Sequence, residues 1–209
     1  MKNNLLIAIA ACFLGLTPAR ASILVSIEPS LVTASPGSTA NSLEVLLMNT
    51  GPSAVTVGTF LFEVSTANPD IGFTGTTTAT TLAPYIFAGD SDFGPNLAIS
   101  TGQSMLAFDI GASAVSIGAG DSFGLGHALF NVAAGAAPGT FNVVLDPIAT
   151  SLSDDLGNGI AISSLVNGQI QIAGGTATVP EPATWLTIAF GLLATLALGR
   201  RLRYRPDRG

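Results

Sequence analysis

Two long apolar runs close the ends of the chain, Leu5–Leu16 and Ala183–Gly199, and neither contains a charged residue. Between them hydrophobic residues come in short groups separated by clusters of Gly, Pro, Asn and Asp. Phe60, Phe62 and Val64 share one parity; Phe141, Val143 and Leu145 alternate with Asn142, Val144 and Asp146; Ile170 and Ile172 alternate with Gln169 and Gln171. Successive side chains of a strand point to opposite faces, so these segments predict half-buried strands, and no stretch of the body keeps the 3.6-residue period of an amphipathic helix. Leu43–Met48 is apolar on both parities, which predicts a central strand covered on both faces. Asn49-Thr50-Gly51-Pro52 supplies a turn into the strand Thr56–Val64. The stretch Ala133–Gly139 is rich in alanine, yet Gly135 and Pro138 interrupt it, so it reads as a connection between strands. Many short strands punctuated by turns predict an all-β sandwich or barrel.

Composition divides the chain at the same places. All seven basic residues lie near the ends (Lys2, Arg20, Arg200, Arg201, Arg203, Arg205 and Arg208), and residues 22–178 contain no Lys or Arg. Eleven of the 13 acidic residues lie in that body, the others being Glu181 and Asp207, so its formal charge is −11. Binding to nucleic acid or anionic lipid begins with cationic neutralisation of phosphate, which this body cannot supply, so nucleic acid is excluded as a partner. The one cysteine, Cys12, lies in the first apolar run, leaving the body without a disulfide or a thiol. A body of about 150 residues buries roughly two-thirds of its unfolded surface, enough for a single domain without cross-links.

The ends carry targeting signals. Lys2, the apolar core Leu5–Leu16 and the small-residue pattern Ala19-Arg20-Ala21 form a secretory signal over residues 1–21. Export through the Sec translocon and cleavage by signal peptidase after Ala21 make Ser22 the new N-terminus. Ile9-Ala10-Ala11-Cys12 has the composition of a lipoprotein processing box but sits well before the apolar core ends. At the other end, residues 183–199 span about 25 Å as a transmembrane helix, slightly under the hydrocarbon thickness. Arg200, Arg201, Arg203 and Arg205 follow it as a cytoplasmic stop-transfer signal and place everything before Val179 outside the membrane. Pro180 and Pro182 stop the membrane helix from propagating outward and hold Glu181 in an extended peptide.

In order, spacing and position, Val179-Pro180-Glu181-Pro182, one short span and an Arg-rich end resemble the PEP-CTERM sorting signal of Gram-negative bacteria that make exopolysaccharide. The resemblance implies that residues 179–209 are the substrate of an exosortase-like transpeptidase cutting near the Pro-Glu-Pro motif. It implies a membrane-anchored precursor that reaches the cell surface or extracellular matrix in association with exopolysaccharide. A generic single-pass anchor is the plainer alternative. Gly174-Gly175-Thr176-Ala177-Thr178 reads as a linker between tail and body.

Within the body, residues 22–173, an opening strand is followed by Ser35-Pro36-Gly37-Ser38. Later come Phe130-Asn131-Val132-Ala133, Ala137-Pro138-Gly139-Thr140-Phe141, Leu156-Gly157-Asn158 and Val166-Asn167-Gly168-Gln169-Ile170-Gln171-Ile172. That order is similar to cohesin-like domains, which are jelly-roll β-sandwiches related to carbohydrate-binding modules. The resemblance is strongest after Phe123, and Thr74–Thr81 and Asp90–Asn96 fall outside its pattern. Two functions follow as expectations: a sorted surface or matrix protein, or a membrane-anchored module binding carbohydrate or protein.

Catalysis has little to draw on. His127 is the only histidine, and without Cys or Lys in the body there is no Cys-His pair, no Ser-Lys pair and no His-based metal cluster. His127 alternates with Leu125 and Leu129, the pattern of a strand histidine at a sheet surface, so no enzyme is expected. Asp90 and Asp92 in one loop, and Asp154 and Asp155 in another, are the oxygen-rich candidates for Ca2+. Asp and Asn at that density are also what turns require, and neither loop has the EF-hand spacing. The run Thr74–Thr81 reads as a flexible or strand-edge segment, too small to be a threonine face for polysaccharide or ice.

Overall fold

A computed structural model describes residues 21–174, and all of its regular structure is β. Ala19, the Val179–Pro182 motif, the span 183–199 and the arginines beyond it lie outside the described residues, as do both expected helices. In chain order the strands are β1 (Ile23–Glu28), β2 (Leu31–Ala34), β3 (Asn41–Asn49), β4 (Val55–Thr66), β5 (Ile71–Thr77), β6 (Asn96–Ser100) and β7 (Ser104–Ile117). Then follow β8 (Ser122–Val132), β9 (Gly139–Leu145), β10 (Ser151–Ser153), β11 (Gly159–Ile160), β12 (Ile162–Val166) and β13 (Gly168–Ile172). Sheet one runs β12-β1-β3-β8-β5, and sheet two runs β11-β10-β4-β9-β13-β2. Along its other edge β4 pairs β7, outside which lies β6. The two strands β10 and β9 share one edge of β4, at Thr59–Leu61 and Val64–Thr66.

The two ends of the domain run side by side through both sheets. β1 pairs β12 in parallel, and β2 pairs β13 in parallel. Between β1 and β2, and again at Asn167 between β12 and β13, the chain passes from sheet one to sheet two. The Asn167 side chain accepts a hydrogen bond from Leu145 N at 2.9 Å, which ties that crossing to β9.

Alternation decides what is inside. Phe60, Phe62 and Val64 of β4 are fully buried, and so are Val143 of β9 and Ile170 of β13, as their parity predicts. Ile23, Val25 and Ile27 of β1 and Leu43, Val45 and Leu47 of β3 face them from sheet one. Each such side chain contributes on the order of 1.5–3 kcal/mol by leaving water. Ala133–Pro138 connects β8 to β9 without a helix.

Two sequence expectations change. Leu43–Met48 lies in β3, between β1 and β8, but its outer parity is covered only at Glu44; Leu46 is half-buried and Met48 is 38% exposed. A segment from the connection after β5 reaches Glu44 and leaves the rest of that face open. His127 does lie on the outer face of sheet one, but Leu125 points into the core at 0% exposure. The pairing of β3 with β8 slips between Val45 and Leu46, opposite Gly126 and Gly124. Gly126 has φ +138°, a backbone that side chains rarely adopt, and this bulge reverses the parity of every later residue in β8.

Residues 78–95, which overlap both runs outside the cohesin-like pattern (Thr74–Thr81 and Asp90–Asn96), form a strap joining one edge of each sheet. Pro84–Ile86 continues along β8 where β5 stops: Gly124 N donates to Pro84 O and Ile86 N to Gly124 O, both at 2.9 Å. A Cβ at position 124 would sit 2.4 Å from Thr80 Cγ2, so only glycine lets the strap lie this close. The strap then reaches β7, where Asp92 N donates to Ile110 O at 2.9 Å and Ala112 N to Asp90 O at 2.8 Å.

Candidate functional site

Two carboxylates hold the strap down. Glu44, 2% exposed on β3, accepts from Thr81 N at 2.9 Å, Thr81 Oγ1 at 3.0 Å, Leu82 N at 3.1 Å and His127 Nε2 at 3.0 Å. Burial pushes its pKa up, but the hydrogen bonds from the Thr81 and Leu82 amides, His127 and the Thr81 hydroxyl outweigh that and hold it below the usual carboxylate range. His127 thus fastens a loop.

The second carboxylate is Asp109 of β7, which faces the core opposite Phe60 and is fully buried. Its Oδ2 accepts from Tyr85 Oη at 2.5 Å and Ser91 Oγ at 2.6 Å, and its Oδ1 from Ile110 N at 2.8 Å. Burial, and then the hydrogen bond and charge of Asp109, push the Tyr85 hydroxyl far above its ordinary range. Around it Phe87 stacks on Phe60 with centroids 5.8 Å apart, and the Tyr85 ring meets Phe60 edge-on at 6.3 Å. The strap's aromatic stretch Tyr85-Ile86-Phe87 therefore completes the core between the sheets.

Of the expected calcium residues, Asp154 closes a turn and Asp90 reaches across to β7. Asp154 Oδ1 accepts from Leu156 N and Asn158 N, and its Oδ2 from Asn158 Nδ2; the Asn158 bonds lead in holding its pKa low. Asp90 Oδ2 accepts from Ser113 N and Ser113 Oγ, while Asp92 and Asp155 are exposed. The fold does bring the two loops to one place. Asp154 and Asp155 line a cavity of about 660 Å³ with Gly111–Ala114, the segment that Asp90 binds. Among the described residues, no three Asp, Glu, His or Cys side chains converge as a metal site.

The outer face of sheet two offers different chemistry. On β7, Leu106, Phe108 and Ile110 form one outward row, and Leu61 of β4 lies directly opposite Phe108. Ile110 is 36% exposed, and across β4 on β9 Val144 is 39% exposed. Glu63 lies between them, opposite Leu106. One end of this face meets the 660 Å³ cavity, which Thr59 and Ile110 help to line; the other meets a cavity of about 510 Å³ at Asn142 and Val144. Sequence reading singled out none of Glu44, Tyr85, Asp109 or Phe108. The signal for the last two was present: Met105–Ile110 is apolar on both parities except for Asp109, so one face had to stay exposed and the other had to take in an acid.

Compared by sequence, the chain matches no protein-family model and no curated protein. Compared by structure, it is similar to the cohesin CaCohA2 from Clostridium acetobutylicum, at 17% identity, 74% of this chain, 93% of that chain and a TM-score of 0.54. It is also similar to a non-cellulosomal cohesin from the hyperthermophilic archaeon Archaeoglobus fulgidus, at 15% identity, 77% of this chain, 96% of that one and a TM-score of 0.50. A third similar structure is the OlpA cohesin of Clostridium thermocellum, solved in a type I cohesin–dockerin complex, at 15% identity, 73% of this chain, 99% of that one and a TM-score of 0.51. At these identities the likeness is one of fold: the described body is an all-β sandwich that resembles the cohesins.

Proposed function

We propose that the chain is an exported binding module, a cohesin-type sandwich that docks a protein partner of the dockerin kind on the outer face of β9, β4 and β7. The row Leu106, Phe108 and Ile110 beside Leu61 carries this reading, because an apolar cluster with a central aromatic is the composition of an interface core, with Glu63 beside it as an acidic contact for a basic partner. Polar Ser65 and Ser104, opposite one another, edge the cluster, as a rim does. The solved complex of the Clostridium thermocellum neighbour with a dockerin supplies the partner class. With a body charge of −11 and no cation in it, the partner's matching surface is basic, and association weakens with salt.

A photo-crosslinking residue placed at Phe108 or Leu106 in the full chain, expressed in its own cells, is expected to capture one protein species. The same residue at Leu24, on the outer face of sheet one, is expected not to. Equal capture from both faces, or none at Phe108 and Leu106, sinks the reading.

The module's address is the second part of the proposal. The tail Val179–Pro182, the span 183–199 and the arginines after it sort the protein to the surface, where an exosortase-like enzyme removes the tail and the body joins an exopolysaccharide matrix. Mass spectrometry of the extracellular protein is expected to find a C-terminus near Pro182 and no peptide from Arg200–Gly209. An intact tail there refutes this part alone.

A further inference from the structure

Beyond the docking face lies a concavity with chemistry of its own. β4 pairs β9 only over Val143–Leu145, and past Thr66 it leaves Gly139–Asn142 paired by β13 alone. The gap is a cavity of about 510 Å³, with Thr66, Asn68 and Pro69 on one wall and Thr140, Phe141 and Asn142 on the other. That volume lies in the range of small-molecule sites. None of these side chains is charged, and the body contains no Lys or Arg to hold an anion.

From this geometry we infer that the cavity binds neutral sugar residues of a polysaccharide. Pro69 and the partly exposed ring of Phe141, whose inner side packs against the core, supply the apolar surface on which the C–H face of a pyranose rests. The two amides are already oriented. Asn68 Oδ1 accepts from Asp70 N at 2.9 Å, and Asn142 Oδ1 accepts from Gln169 Nε2 at 3.0 Å. With each carbonyl so engaged, the N–H2 group of each is left as the donor for a sugar hydroxyl, and exposed Thr140 adds a hydroxyl that both donates and accepts. A uronate or sulfated sugar would bring negative charge to a body of −11 with no compensating cation, so the site selects neutral residues. This inference does not rest on the protein-docking reading; Val144, which the cavity shares with the docking face, is left unaltered in the test.

Saturation-transfer NMR on the full chain in detergent micelles tests it. The probes are neutral disaccharides of hexose, 6-deoxyhexose and N-acetylhexosamine, with a glucuronate-containing disaccharide as the anionic comparison. Transfer is expected from at least one neutral probe at millimolar concentration and is expected to be at least about tenfold weaker for the glucuronate. Asn142→Ala, at an exposed position, is expected to leave the melting temperature unchanged and weaken binding about tenfold by removing one hydrogen bond. Phe141→Leu keeps an apolar side chain and loses the ring, and is expected to weaken binding similarly. Absence of transfer from every neutral probe, or transfer that neither variant diminishes, overturns the assignment. Crosslinking at Phe108 reads the docking face separately, so failure of one proposal leaves the other standing.

Discussion

Asp109→Ala is expected to lower the stability of the sandwich by about 4 kcal/mol, seen as a fall in melting temperature of roughly 8–16 °C. The carboxylate is fully buried and accepts from Tyr85 Oη, Ser91 Oγ and Ile110 N. Alanine leaves those donors facing a void, and each buried donor without a partner costs about 1–3 kcal/mol. Tyr85→Phe removes one donor and leaves Asp109 with two, so it costs less, about 1–2 kcal/mol. Removing both partners together is milder than the sum: Tyr85→Phe with Asp109→Leu is expected to show a coupling of about 1–3 kcal/mol in a double-mutant cycle. The hydroxyl adds a signature in pH. In the unfolded chain tyrosine ionises near pH 10, roughly its ordinary value, whereas folded Tyr85 stays protonated well above that. A folded pKa raised above the unfolded one means stability present below about pH 10 and lost as pH climbs past it. Tyr85→Phe should flatten that alkaline limb. Additive substitutions, or an alkaline limb that Tyr85→Phe leaves unchanged, would show that the pair does not anchor the strap.

The strap matters to function because of where it ends. Asp92 N donates to Ile110 O while Ile110 N donates to Asp109, the carboxylate that Tyr85 and Ser91 of the strap also bind, so the last residue of the apolar row is tied to the strap directly and through Asp109. The buried polar pair therefore sets one end of the proposed docking face. An apolar replacement pair gives up the directional hydrogen bonds that place Ser91 and Ile110, even where it recovers stability.

How far the sequence could be read depended on whether a residue's partner was local or distant. Period-two alternation placed Phe60, Phe62, Val143 and Ile170 in the core, because that signal depends only on strand geometry. The cohesin-like order after Phe123 fell on strands β8, β9, β12 and β13 and, at Leu156-Gly157-Asn158, on the turn between β10 and β11, and the solved neighbours have a similar fold. Thr81 and Glu44, 37 residues apart, are joined by a long connection crossing a sheet, and no spacing rule reports such a contact. The reversal at His127 was missed because a bulge is a property of the pair of strands; the glycines at 124 and 126 were its only trace. Asp90 and Asp154 read alike in sequence, yet Asp154 closes its own turn while Asp90 reaches Ser113, 23 residues on, a difference that local composition does not carry.

Glu44→Ala is the second large loss expected, about 3 kcal/mol or a fall of roughly 6–12 °C in melting temperature. Thr81 N, Thr81 Oγ1, Leu82 N and His127 Nε2 all lose their acceptor at once. The loss is local, so amide exchange at Thr81 and Leu82 should rise more than at Phe62 or Val64 in the core strand. Glu44→Gln keeps the shape and removes the charge, and its effect is expected to be smaller and to vanish once the pH has fallen below the folded pKa of Glu44. The sign follows from the depressed folded pKa. In the unfolded chain this carboxyl titrates near its usual value of about 4.3, and in the fold it titrates lower. Stability is then present above the unfolded value and lost as pH falls through the folded one. Wild type should weaken through that acid window while Glu44→Gln stays level, apart from smaller slopes from Asp146 and Asp154, whose depressed pKa values belong to groups exposed to solvent screening. Parallel acid limbs in the two proteins, or unchanged protection at Thr81 and Leu82 in Glu44→Ala, would mean that the strap is held from the Asp109 end alone.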